Sequence, residues 1–407
     1  NSKNVTHLRN NYCGNVSFST YYPLLYRKRI FYFCTSAEIH LVLCCYFYAM
    51  APIILDDLPF ARQLYPFAEI RSAADIRIGI LTIREKWEFV AREKITTSSE
   101  MGMSQISTEK HNTVPANLVP SAAWIHEYLE GKASLESLTD PSLVHSLSYA
   151  WDIFRLNDWA LRKDFEMITR GRTTEPIPGT VHAINAPEIF IEPGARLNFC
   201  TLNAATGPIY IGKNTEIMEG ANIRGPFALC EGSVVKMGAR IYGASTIGPN
   251  STVGGEIKNV VVFGNSNKGH DGYLGDSVLG EWCNLGAGTS NSNLKNDAGE
   301  VKVWNQAEHN WSIAGNKCGL LMGDYSRSAI NTSFNTGTVV GVCANIFGSG
   351  FAPKHVESFS WGTGKPGNYS FEKAIEHISN WKKLKKQVLT KNEIQRLKHI
   401  FDASVKA

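Results

Sequence analysis

Apolar side chains fall at every sixth position along the middle of this chain: Ile211, Ile217, Ile223, Leu229, Val235, Ile241, Ile247 and Val253. Neither a helix, with its period near 3.6, nor an ordinary strand, with its period of two, gives that pattern. A parallel β-helix does. Each repeat makes one short strand and a turn, the aliphatic side chain points into the shaft, and three repeats close a coil. Gly212, Gly248 and Gly254, each just past an aliphatic position, suit the turns. The period slips by two residues after Val253, resumes at Val261, and continues at Tyr273, Leu279 and Leu285, then at Met322, Ser328, Phe334, Val340 and Ile346. A β-helix domain is therefore expected over 185–350, with the break between Leu285 and Met322 leaving the shaft as a loop over 290–315.

The flanks read differently. Residues 50–175 are expected to form a small α/β domain: an apolar run at Pro52 to Leu55, then a polar Thr96 to Thr113 linker, then helical spacing of Trp151, Phe154, Leu156 and Trp159, with Asp140-Pro141 as a helix start. These tryptophans read as core. Residues 351–407 read as a helical tail with a solvated lysine face and a Thr390/Glu393 capping box before the last helix. Residues 1–49 hold four of the nine cysteines and show no period, so they are expected to be upstream sequence or disordered, with the fold opening at Met50-Ala51. Ser36, Glu38 and His40 interrupt the apolar run of Ile30 to Leu55, which argues against a membrane span because a carboxylate is costly in hydrocarbon.

Charge and cysteine use narrow the function classes. A net +4 from 41 basic and 37 acidic residues, with no basic run, argues against nucleic acid as partner. Nine scattered cysteines without a CxxC pair suit a reducing cytoplasm and give no zinc site.

One segment is denser in chemistry than the rest. Glu256-Ile257-Lys258 is followed by HDGYLGD from His270, NLGAGT from Asn284, and Asn293 nine residues after Asn284. In these words and spacings the segment resembles the acetyltransferase half of the bifunctional enzymes that acetylate glucosamine-1-phosphate and then uridylylate it. The resemblance is dense over about forty residues from Gly255 and looser over the shaft. It implies a left-handed β-helix, a homotrimer with sites between shafts, and acetyl-CoA as acyl donor to an amino-sugar phosphate. Carried over by position, it makes His270 the catalytic base and places Lys258, Tyr273, Asn284 and Asn293 around the sugar phosphate. Arg240 joins them less securely, as a cation one 18-residue coil before Lys258. Small residues on the later coils, Ala329, Gly341, Ala344 and Gly348, are the expected wall for the pantetheine arm.

The residue chemistry points the same way. Acyl transfer from a thioester needs a neutral amine, so a base titrating near the working pH is wanted, and histidine supplies one. Lysine and arginine give charge-assisted bonds to phosphate, while asparagine and tyrosine offer orientable groups to sugar hydroxyls. Taken singly, His270 reads as a turn histidine, Lys258 as a surface lysine, and the two asparagines as corner residues of the kind that tolerate positive φ. Asp276 reads as a turn residue. His309 and His355 are too dispersed to complete a three-histidine zinc set like that of β-helix carbonic anhydrases, and no metal site is expected.

Before the shaft, LPFARQLYPFAEIRSAADIRIGILTIREKW resembles the opening of a sugar-nucleotidyltransferase-like domain. Yet no glycine lies between Met50 and Gly79, so the Gly-rich loop whose amides cradle a triphosphate is missing. Arg62, Arg71 and Arg77 read either as phosphate ligands or as surface and interdomain residues. Three functions stand in order: acyl transfer to an amino-sugar phosphate, nucleotidylyl transfer to a sugar 1-phosphate with Mg²⁺, and a non-catalytic scaffold.

Overall fold

The computed structural model describes residues 52–101, 112–135, 140–363 and 369–406, and the backbone of Phe33–Thr35 and Glu38–His40, which pair antiparallel. The remaining expectations for 1–49 lie outside the described residues.

The six-residue period builds a three-faced parallel β-helix. One face is an eight-stranded sheet running from Arg196–Leu197 to Asn345–Ile346. The other two share a 13-stranded sheet. They merge because Glu256–Gly264 and Tyr273–Glu281 run straight through the corner that separates those faces elsewhere. Ile211, Leu229 and Ile247 stack at 18-residue steps, and Met322 and Val340 repeat that step. All five are fully enclosed in one aliphatic core.

The slip after Val253 has a physical cause that the period alone mislocates. Ile247 pairs with Val262, a 15-residue step, so Val262 is the inward residue there. Val261 points outward into the core beneath the N-terminal domain. Leu274, rather than Tyr273, is likewise the inward residue of its strand.

The N-terminal domain sits on the face whose outward residues include Val261, Phe263, Val278, Leu321 and Val339, all part of its core. Its parallel sheet has Ile53–Asp56 between Thr96–Thr97 and Asn112–Pro115, so the expected linker contributes a strand and the helix Ser98–Met101. Residues 102–111 lie outside the described residues. Thr82 and Glu85 close a capping box on the helix Ile83–Ala91. Asp140 starts no helix: its carboxylate accepts from Ser142 N at 2.8 Å in a turn leading to the strand Val144–Ser146. Helices resume at Asp152–Arg155 and Asn157–Thr169, where Trp151 is buried.

The loop between the coils is a hairpin, Lys302–Asn305 with Asn310–Ile313, whose Val301, Val303, Ala314 and Cys318 complete the N-terminal core. In the tail, Thr390 and Glu393 make the expected capping bonds, and the helices are Phe371–Leu384 and Lys391–Lys406. The lysine face is not wholly solvated. Lys382 is buried, bonded to Glu393 at 2.5 Å and lying over Trp282.

The arginines of the N-terminal domain divide. Arg62 is exposed. Arg71 pairs with Asp324 at 2.5 Å and lies over Phe263, while Arg77 donates to the Phe263 carbonyl at 3.2 Å and to Glu85 at 3.3 Å. Both bridge the N-terminal domain to the shaft, the interdomain alternative of the sequence reading. Beside them, burial pushes the Asp324 carboxyl up to about 6 against the pull of Arg71, and burial pushes Glu69 up to about 7 despite the Ser358 hydroxyl.

Carboxyls raised on folding bind protons more tightly in the folded state, so their contribution is full below the ordinary carboxylate range and falls as pH rises towards 6 for Asp324 and 7 for Glu69. Glu69→Gln removes one such loss. Urea unfolding at pH 5 and pH 8 should show the substituted protein gaining on the parent by about 2 kcal/mol between the two. An unchanged difference would refute the assignment.

Candidate functional site

Register decides which outward side chains meet. Arg240, Glu256 and Tyr273 form one cross-strand row, and Tyr242, Lys258 and Gly275 form the next. Arg240 and Lys258 therefore do not stack. The step between these strands is 16 residues, not 18, and it sets Arg240 opposite Glu256, with a long 3.9 Å approach. Lys258 is flanked instead by Tyr242 and by a glycine. That glycine matters: a Cβ on Gly275 would lie 2.2 Å from the Tyr273 hydroxyl, so its absence lets the phenol fold over the row that holds Lys258.

From there a hydrogen-bond chain fixes Asn293. Its Nδ2 donates to Tyr273 Oη at 3.1 Å and to Asp276 Oδ2 at 2.5 Å, while Asn259 Nδ2 donates to Asp276 Oδ1 at 2.7 Å. Asp276 does not sit in a turn as expected: it lies within the strand Tyr273–Glu281 with a positive φ of 46°, is 5% exposed and serves two amides. Asn291 supports the same strand, accepting from Gly275 N at 2.9 Å and donating to its carbonyl at 3.1 Å. Burial, reinforced by Asp276, holds the Tyr273 phenol protonated well beyond the usual range. Sequence reading missed Asn259 and Asn291, since their roles depend on which coil lies beside which.

His270 occupies the next corner and is exposed. Glycines surround it: a Cβ on Gly254 would meet the Gly269 carbonyl at 2.7 Å, and one on Gly272 would meet the Thr289 carbonyl at 2.1 Å. These contacts make the glycines a condition of close packing between the coils at this corner. Around the corner Asn284 accepts from Asn267 Nδ2 at 2.9 Å. Neither Asn284 nor Asn293 is among the described residues with positive φ, so conformational tolerance does not explain them. Above Asn284 in register lies Arg327, buried under Trp381. His309 and His355 instead pack against Trp304, with ring centroids 6.4 and 4.7 Å away, and among the described residues no group of three His, Cys, Asp or Glu could hold a metal ion.

The four small residues do not form one wall. Ala329 and Gly348 are exposed after inward Ser328 and Ile346, on the same corner line as His270 but two and three coils further along the shaft. Ala344 is fully buried within the shaft, and a Cβ on Gly341 would meet the Tyr65 hydroxyl at 2.6 Å. Gly341 and Ala344 are small because of packing, not to border a groove.

At the end of the strand Ile53–Asp56, where a phosphate-cradling loop would lie, Asp57 accepts from Ser99 N at 3.0 Å and Ser99 Oγ at 2.6 Å. A carboxylate, not a set of free amides, occupies that place.

Residues 53–127 match a family described as sugar nucleotidyl transferase. Among curated proteins the chain is 35% identical over 103 residues to the bifunctional protein GlmU of Methanocaldococcus jannaschii, 25% of each chain. It is 38% identical over 92 residues to the bifunctional sugar-1-phosphate nucleotidylyltransferase/acetyltransferase of Sulfurisphaera tokodaii, 23% of each. With the bifunctional protein GlmU of Trichormus variabilis it shares 30% over 118 residues, 26% of each. The chain thus spans about a quarter of the length of the curated relatives it matches. Solved structures similar to it include the Francisella novicida UDP-N-acetylglucosamine acyltransferase, with 14% identity, a TM-score of 0.31 and coverage of 57% of this chain and 88% of that one. Another is the polySia-specific acetyltransferase NeuO, with 14% identity, a TM-score of 0.21 and coverage of 49% and 80%.

Asp276→Ala would remove the buried carboxylate that two half-buried amides share, so it should lower the unfolding free energy by about 1–2 kcal/mol in denaturant titration, with Asp276→Asn losing less. Equal stability of the parent and Asp276→Ala would show that the carboxylate organises nothing.

Proposed function

We propose that the shaft transfers an acetyl group from acetyl-CoA to the amine of an amino-sugar 1-phosphate such as glucosamine-1-phosphate, a step in nucleotide-sugar biosynthesis. The carrying observation is the exposed His270 on a glycine-lined corner beside the Lys258, Tyr273 and Asn293 surface. In this reading the amine attacks the thioester carbonyl, the imidazole takes the amine proton, and the tetrahedral intermediate collapses with release of the thiol. Lys258 holds the phosphate, with Arg240 as an outer cation; Tyr273, Asn284 and Asn293 take the sugar hydroxyls. The pantetheine arm passes the exposed corner at Ala329 and Gly348.

A homotrimer suits this arrangement. Phe199, Met237 and Ile330 are each at least 66% exposed and follow inward Leu197, Val235 and Ser328 by two residues, as His270 follows Lys268. A neighbouring shaft would cover that edge and enclose the histidine. Five described cysteines, at 200, 230, 283, 318 and 343, are unpaired and buried, which fits the cytoplasm. Among the described residues no helix is long and apolar enough to cross a membrane. The domain division proposed is 50–175, 185–350 and 351–407.

The family match over 53–127 supports a second reading, nucleotidylyl transfer to a sugar 1-phosphate with Mg²⁺. The occupied strand end at Asp57 counts against it.

Thiol release from acetyl-CoA with glucosamine-1-phosphate separates the readings. His270→Ala should lower kcat at least 10²-fold, the ordinary scale of general-base loss, with the unfolding midpoint unchanged. Pyrophosphate release from a nucleoside triphosphate and sugar 1-phosphate, indifferent to His270, would favour the second reading. Neither activity would leave a scaffold.

A further inference from the structure

The inward column of the eight-stranded face reads Leu197, Ile217, Val235, Val253, Lys268, Leu285, Ser328 and Ile346. Every member but Lys268 and Ser328 belongs to the aliphatic core. Ser328 is small and meets Thr289 Oγ1 at 3.1 Å. Lys268 is the anomaly: a cation 3% exposed at a position built for an aliphatic side chain.

The corner that follows explains where its ammonium goes. At the corners after Ile217, Val235, Leu285 and Ser328 the third residue past the inward side chain has positive φ and its N–H donates to a corner carbonyl of the coil below, whereas after Leu197 and Val253 the positive φ falls on the second residue, Phe199 and Gly255. Gly238 donates to Glu219 in this way, and Asn331 to Ala287. In the coil of His270 the positive φ falls one residue later, on Gly272. Gly288 N consequently donates to the Asp271 carbonyl at 3.1 Å and passes over His270. No backbone N–H of the described residues reaches the His270 carbonyl. Lys268 Nζ does, at 2.5 Å. Gly255 in the coil below leaves room for this carbonyl, since a Cβ there would lie 2.8 Å from it.

We propose that Lys268 is a positioning residue for His270: its ammonium, led out of the shaft to the His270 carbonyl, holds a turn displaced by one residue and so fixes the direction in which the imidazole is presented. Gly269 and Gly272 flank the turn, and although backbone bonds reach the Asp271 and Gly272 carbonyls, the His270 carbonyl between the glycines has, among the described residues, only Lys268 to hold it. Burial pushes the Lys268 amine down to about 8, with Asp271 on the same turn opposing and Arg240 adding to the shift. The inference rests on the role proposed for His270, but the geometry of the turn is measurable without catalysis.

The test uses the full chain with Lys268→Met, Lys268→Gln and Lys268→Arg. In the parent, hydrogen exchange of a peptide covering 269–272 should be slow, and Lys268→Met should speed it about tenfold while 256–264 stays protected. Diethyl pyrocarbonate modification of His270, read by mass spectrometry, should quicken in parallel. In acetyl transfer, Lys268→Met should lower kcat about 10- to 100-fold with KM for both substrates nearly unchanged, and Lys268→Arg should recover part of it. Lys268→Gln should fall between. If the parent transfers no acetyl group, the proposed function fails while exchange and modification still decide the positioning. Unchanged exchange and modification in Lys268→Met would overturn it. Loss of protection along the whole shaft in both Met and Gln variants would also overturn it, making Lys268 a residue of general stability.

Discussion

Strands of two or three residues cannot hold themselves together, and the shaft is made almost entirely of such strands. Each is held by the coil above and the coil below, through parallel ladder bonds and through an inward side chain resting on its counterpart one coil away. The stack of Ile211, Leu229 and Ile247 is thus more than a core. Since inward positions are fixed by burial, outward positions are fixed by register, and a one-residue slip would carry every outward group to the interior. The placement of Lys258, Tyr273 and Asn293 on one surface follows from that constraint.

The period was legible because it is the strongest apolar repeat in the chain, yet it locates the shaft better than it locates the residues on it. Between Ile247 and Val262 a coil is three residues short of the regular 18. A slip of two residues after Val253 makes Val261 inward and an 18-residue coil sets Arg240 over Lys258, and the register reverses both. A second signal was present and pointed to the cause. The apolar runs at Val260 to Val262, Val278-Leu279, Leu320 to Met322 and Val339-Val340 have hydrophobic residues on both sides of the strand, as a strand buried on both faces must. They mark the face covered by the N-terminal domain. What no sequence pattern carries is partner identity across coils, such as Asp276 serving Asn259 and Asn293. Nor does spacing separate Arg71 and Arg77, which anchor the domain to the shaft, from arginines free to meet phosphate.

The short coil links domain docking to the site. Where the corner is removed, Glu256–Gly264 and Tyr273–Glu281 run on without a break, their first parts carrying Lys258 and Tyr273 outward and their later parts presenting Phe263 and Val278 to the N-terminal core. The same backbone segments therefore bear the polar surface at one end and the interdomain contact at the other. Arg71, stacked on Phe263 and paired with Asp324, fastens the second end. The N-terminal domain consequently has a structural part in the site without lending it a side chain.

Distances set by the fold also suit the proposed acceptor. Adjacent strands of a sheet lie about 4.8 Å apart, so Lys258 and the strand leading to Asn293 are separated by roughly 10 Å, two such steps. A hexose phosphate can bridge that span with its phosphate at the lysine and its hydroxyls at the tyrosine and asparagine. His270 stands at the corner beside the intermediate strand, which begins at Tyr273, where the amine of such a molecule would lie between its two anchors. A side chain on Gly254 or Gly272 would strike the backbone of the neighbouring coil, so these glycines keep the coils in contact beside His270. The displaced turn that bears His270 and the row of Lys258 thus lie on adjoining parts of one surface, the arrangement that the proposed transfer requires of its base and its phosphate anchor.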